Sequence, residues 1–111
     1  MDLSKELAGA SASVLVLTVL AKEASYGYQI IKRLNDAADG FFVWQEGTVY
    51  PILHKLEKES LVRAQWQQAD SGRRRRYYYI TAKGRSALKA GSRQWEAYHG
   101  MIARLAEATQ N

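Results

Sequence analysis

Cysteine is absent from the sequence, which excludes both a disulfide framework and a thiolate metal site. Proline occurs once, at Pro51, and no stretch rich in glycine, proline or serine divides the chain with a linker. Long apolar runs are also missing. The longest, Val14 to Leu20, is interrupted by Thr18 and is far too short to cross a bilayer. Asp2 and Glu6 stand where a signal peptide would carry basic residues, so no leader is expected. There is no glycine-rich phosphate loop, and the two histidines, His54 and His99, fall on different expected elements without further ligands beside them. Neither catalysis nor a metal or other cofactor is expected. What remains is a cytoplasmic single domain of 111 residues, 47% hydrophobic and 24% charged, which is enough for a core.

Charge is unevenly spread. Residues 1–70 carry seven Lys and Arg against nine Asp and Glu, whereas residues 71–111 carry nine against two. The first stretch is thus −2 and the second +7, which sum to the net +5, and in the second Arg73, Arg74, Arg75 and Arg76 are consecutive. A basic cluster confined to one segment suits a phosphate backbone or an acidic membrane surface.

Periodicity gives the element order. A first helix is expected from Ser4 to Lys22, apolar nearly all round in its second half and so buried at the domain centre. A second should start at Ser25, a good N-cap residue, with Tyr28, Ile31, Leu34 and Ala38 on one face and Gly40 at its end. In the third, Val49, Ile52, Leu53 and Leu56 form the inward stripe. Pro51 lacks an amide hydrogen and fits only the first turn, which pins the start near Gly47–Thr48. Tyr50, Pro51, His54, Lys55 and Lys58 then share the opposite face. Leu61 to Gln67 and Arg75 to Ile80 read as strands around an Asp70-Ser71-Gly72 turn, and Thr81 can cap a last helix reaching about Ala108. The expected class is mainly α with a β-hairpin. Its order is that of a winged helix-turn-helix over 1–81, followed by a long helix over 82–111 in the same compact unit.

Three motifs in that order resemble the PadR family of bacterial transcriptional regulators. Tyr26-Gly27-Tyr28-Gln29-Ile30-Ile31-Lys32-Arg33-Leu34 is similar to the family's second helix, and Gly47-Thr48-Val49-Tyr50-Pro51-Ile52-Leu53-His54-Lys55-Leu56-Glu57 to its recognition helix. Arg74-Arg75-Arg76-Tyr77-Tyr78-Tyr79-Ile80-Thr81 with Gly84 is similar to its wing and the start of its last helix. The likeness spans about residues 13–105. Ser60 stands where the family usually has glycine, and Glu46 where a small polar residue is frequent. The chain resembles the short branch of the family, in which one C-terminal helix forms the dimer and some members sense planar aromatic or drug-like compounds.

These residues also suit the chemistry such a regulator needs. A helix entering the major groove presents its first turns to base edges, which places Thr48, Tyr50 and Pro51, with His54, Lys55 and Lys58 within reach of bases or backbone. Ser25 and Tyr26 would meet the backbone, and Arg73 to Arg76 with Tyr77 would lie along a neighbouring groove. In the last helix, Leu88, Gly91, Trp95, Tyr98, Ile102 and Leu105 recur at spacings of three and four, a coiled-coil seam. Leu88, Trp95, Tyr98, Ile102 and Leu105 are thus expected at a homodimer interface. The residues flanking Trp95 are small, so a planar aromatic molecule could stack there, lined by Leu7, Ala10, Ser13, Val14, Ser92, Trp95, Tyr98 and His99, if the first helix packs on the partner's last helix. The leading expectation is a homodimeric repressor of a palindromic double-stranded operator, released by such a ligand. The alternative is a winged-helix module that docks a protein or RNA without an operator.

Overall fold

A computed structural model describes residues 1–109. The elements run α1 (Ser4–Lys22), β1 (Ser25–Tyr26), α2 (Gly27–Ala38), α3 (Glu46–Lys58), β2 (Val62–Gln68), β3 (Arg74–Ile80) and α4 (Ala82–Thr109). The last two residues of the expected 82–111 segment lie outside the described residues. The strands form one antiparallel sheet in the order β1-β3-β2.

Helix α1 is the hub. Ala8, Ala12, Val16, Leu17 and Leu20 are all buried in it, among Ile30 and Leu34 of α2, Val49, Leu53 and Leu56 of α3, and Val62 and Tyr78 of the hairpin. Its 19 residues are long and apolar enough to cross a membrane by length and composition alone. In this fold it packs as a core helix instead, against α2, α3, β3 and the start of the α4 stripe.

Helix α2 begins two residues later than expected. Ser25 does not cap it. Ser25 and Tyr26 pair with Tyr78 and Tyr77 as a two-residue strand, and Tyr26 takes the N-cap position with no side-chain cap. The inward face is Gly27, Ile30 and Leu34, while Tyr28, expected in the core, is 67% exposed. Between α2 and α3, the Asn35 side chain grips Trp44 from both sides. Its Oδ1 accepts the Trp44 amide at 2.7 Å and its Nδ2 donates to the Trp44 carbonyl at 3.0 Å. Helix α3 starts at Glu46, ahead of the expected Gly47–Thr48, so Pro51 falls in its second turn rather than its first and the helix continues through it. After α3 the chain turns at Ser60, whose φ of 63° is the left-handed conformation that glycine adopts without strain.

Strands β2 and β3 pair in register from Val62 opposite Ile80 to Gln68 opposite Arg74. Thr81 then caps α4 as expected, its Oγ1 accepting the Gly84 amide at 3.0 Å. Gly84 sits so close to the hairpin base that a Cβ there would lie 2.0 Å from the Leu61 carbonyl oxygen. Helix α4 starts against α1, then leaves the body behind. The radius of gyration is 16.2 Å, against about 13 Å for a compact chain of this length.

Candidate nucleic-acid interface

The first turns of α3, the start of α2 and the hairpin enclose an open cleft of about 610 Å³. Directly opposed residues of an antiparallel pair share a face, so the register sorts the basic wing. Trp66, Arg74, Arg76 and Tyr78 lie on the face that also carries buried Val62 and Ser25, toward α3. Arg75, Tyr77 and Tyr79 lie on the other face with Tyr26 and Arg63.

The four arginines are not equivalent. Arg74 stacks over the Trp66 ring with 5.3 Å between guanidinium carbon and ring centre, and Arg75 over Tyr26 at 4.1 Å. Arg73 stands at the exposed turn, where its carbonyl accepts the Ala69 amide at 2.8 Å. Arg76 is committed inside the protein. Its Nη2 meets Glu57 Oε2 at 2.8 Å and it lies 5.6 Å from the Tyr78 ring centre, tying the wing to α3. Burial holds the Tyr78 phenol above its usual pKa, against the opposing pull of the neighbouring Arg76 charge.

Helix α3 presents Thr48, Pro51, His54, Lys55 and Lys58 to solvent, as expected. Tyr50 differs. It is half-buried, and a Cβ on Gly27 would lie 2.3 Å from its hydroxyl oxygen, so glycine is required beneath it. Its ring packs against Gly27 at the start of α2 while still bordering the cleft. Ser25 also departs from expectation. It is fully buried, its hydroxyl donates to the Glu23 carbonyl at 3.2 Å and accepts from Arg33 Nη1 at 2.8 Å, and Arg33 also pairs with Glu23. Ser25 holds β1 in place and has no side chain free for a phosphate. Tyr77 is half-buried in an edge-to-face contact with Tyr26, ring centres 5.4 Å apart. Sequence reasoning missed Tyr28 and Trp66, both exposed in the cleft. Tyr28 has the three-and-four spacing of a core residue, but the stripe that α2 buries is Gly27, Ile30 and Leu34, which leaves Tyr28 outward.

The family's sequence pattern, described as the transcriptional regulator PadR-like family, matches residues 16–90. The chain belongs to the PadR-like family of transcriptional regulators. A PadR-like transcriptional regulator from Bacillus cereus has the same fold with a TM-score of 0.81, at 28% identity over 91% of this chain and 96% of that one. A transcriptional regulator from Clostridium thermocellum gives 0.80 at 27% identity, over 89% and 96%. The transcriptional regulator Rv3488 of Mycobacterium tuberculosis is 44% identical over 50 residues, which cover 45% of this chain and 46% of that protein. The winged helix-turn-helix fold and a DNA-binding regulatory role follow from this membership.

A second cleft of about 660 Å³ in this PadR-like protein lies between α1 and α4. Of the residues expected at a ligand, it gathers Leu7, Ala10, Trp95, Tyr98 and His99, and adds Leu3, Glu6, Gln94 and Ile102. Ser13, Val14 and Ser92 fall outside its lining. Val14 instead fills the space over Gly91, where a Cβ would be 2.7 Å from Val14 Cγ2. Within the one chain α1 packs on its own α4 at this point. Leu88, expected at the dimer interface, is half-buried against this chain's own core.

Proposed function

We propose that the protein is a homodimeric repressor that holds a palindromic operator and is released by a planar aromatic or drug-like molecule bound between α1 and α4. The observation that carries this reading is the uncovered far half of α4. Tyr98, Met101, Ile102 and Leu105 are 60%, 41%, 54% and 62% exposed on consecutive turns. An apolar stripe of this kind on a helix that outruns its domain needs a cover, and a second copy related by a two-fold axis supplies the same stripe in return. Two recognition helices one turn of duplex apart, about 34 Å, would then read a palindrome in the cytoplasm. Thr48, Pro51, His54, Lys55 and Lys58 would face the groove, and Arg73, Arg74 and Arg75 the flanking phosphates, with Tyr26 and Tyr77 shaping that side of the wing.

Light scattering at micromolar concentration should return twice the chain mass. Ile102→Lys with Leu105→Lys should halve it while leaving the far-ultraviolet spectrum intact. A monomer in the native protein would overturn the dimer. The same preparation separates operator binding from docking of a protein or RNA: a palindromic duplex should compete far better than RNA of the same sequence.

The α1–α4 cleft supports the ligand step. Its lining is mostly apolar, with the Trp95 ring half-buried in one wall and Tyr98 and His99 at the rim. Stacking on an aromatic ring adds on the order of 0.5–1.5 kcal/mol beyond area burial. Release follows only if the ligand prefers a dimer whose recognition helices are wrongly spaced. Flat hydrophobic dyes should quench tryptophan emission, and Trp95→Ala should abolish that quenching although Trp44 and Trp66 still emit. Equal dye affinity in both proteins would exclude the site, and unchanged operator affinity in bound dye would exclude the switch.

A further inference from the structure

The packing of Tyr50 against α2 leaves the first two turns of α3 with few side chains free to read a base. Gly47 has none, Tyr50 is packed on Gly27, and Pro51 carries no hydrogen-bonding group. Thr48 has a short hydroxyl. Glu46 is the long polar side chain there, exposed as the first residue of the helix. It borders the same cleft as Arg73, Arg74, Arg75 and Arg76, yet among the described residues its carboxylate joins no ion pair and no hydrogen bond. The basic residue committed to a carboxylate in this cleft, Arg76, takes Glu57 instead. A negative charge left unpaired beside a phosphate-binding wing weakens binding to phosphate; at the first residue of α3 it stabilises the helix start, and toward the groove it can contribute selectivity.

We propose that Glu46 selects cytosine in each half of the operator, an inference that rests on the DNA-binding reading of α3. The argument follows from the groove edges. An ionised carboxylate only accepts hydrogen bonds. Guanine offers it two acceptors, N7 and O6, and thymine offers the O4 acceptor beside a methyl group. Adenine places its N7 acceptor next to its amino donor. Cytosine alone shows its N4 amino group with no acceptor at that edge, so it is the base the carboxylate favours. The same charge repels phosphates that would otherwise approach the positive end of α3, which lowers affinity for every duplex and leaves the discrimination to the base contact.

The test is selection of duplexes from a random pool by the native protein, Glu46→Gln and Glu46→Ala, followed by competition titrations. The native protein should fix a cytosine at one position of each half-site, with on the order of tenfold or greater discrimination. Glutamine pairs with adenine through both N6 and N7, so Glu46→Gln should move the preference at that position from cytosine to adenine and leave the other positions unchanged. Glu46→Ala should make the position degenerate, and both variants should bind random duplex more tightly. A role confined to stabilising the helix start would shift the melting temperature without moving any base preference. Selection of the same base by all three proteins would overturn the proposal while leaving operator binding intact. Failure of the native protein to enrich any duplex would overturn the DNA-binding reading and this inference with it.

Discussion

Gly84→Ala should destabilise the domain by about 3 kcal/mol, an overpacking cost borne by a single methyl group. The atom that the new Cβ would meet is the Leu61 carbonyl oxygen, at 2.0 Å, with Ile80 Cγ1 at 2.8 Å behind it. A carbonyl at the base of a hairpin cannot rotate aside. The Leu61 oxygen already accepts the Thr81 amide at 3.1 Å, and Thr81 Oγ1 reaches the Ser60 carbonyl at 2.7 Å while capping α4. Relief therefore means moving α4 off the hairpin, which breaks the cap and the sheet end together. Thermal unfolding should show a midpoint lower by on the order of 10 °C. Gly9→Ala is the control, since nothing lies within 4 Å of a Cβ there. In the middle of α1 it should stabilise by about 0.5–1 kcal/mol through backbone entropy alone. An unchanged midpoint for Gly84→Ala would mean that α4 does not seat on the wing as described.

The second large effect concerns the wing. Replacing Arg73, Arg74 and Arg75 with alanine should lower affinity for every duplex, specific or random, on the order of a hundredfold per protomer at physiological salt. The slope of log affinity against log salt should flatten by about 0.9 for each arginine in contact. Arg76→Ala should behave differently, because its guanidinium is held by Glu57 and lies beside Tyr78. Both partners of that pair are about one-third exposed, so its loss should cost stability of only about 1 kcal/mol. Its salt slope should stay close to that of the native protein. Equal changes of slope for all four arginines would show that the Arg76–Glu57 pair opens on DNA.

Much of this was legible before any coordinates. Helix α1 has its expected ends, because an apolar run between polar flanks leaves little choice of boundary. The alternation and turn residues around Asp70 located the wing, and Thr81 followed by Gly84 announced the cap of α4. The misreadings have separate causes. A two-residue strand has no period, so β1 was invisible, and Ser25 passed for a cap. In α2 two three-and-four stripes were available, and the one buried is Gly27, Ile30 and Leu34 rather than that of Tyr28. Tyr50 fell on the outward face of a helical wheel, which contains no neighbour, whereas Gly27 from another element opens the space its ring occupies. At the far end, the seam spacing of α4 was correct, but spacing says nothing about which α1 faces it. Leu88 and Val14 show that the chain's own helix takes the near half of the seam, leaving only the far half uncovered.

The stacked arginines of the wing have a consequence for the thermodynamics of association. A free arginine side chain carries about 2 kcal/mol of rotameric freedom, which a surface residue normally gives up when it grips a phosphate. Here Arg63 lies 4.3 Å above Tyr79, Arg75 sits on Tyr26 and Arg74 on Trp66 before any duplex arrives. Each stacking contact is worth about 0.5–1 kcal/mol at an exposed site, so folding already biases these side chains. Part of the entropy that would have opposed docking on the duplex is thus absorbed in the stability of the sheet.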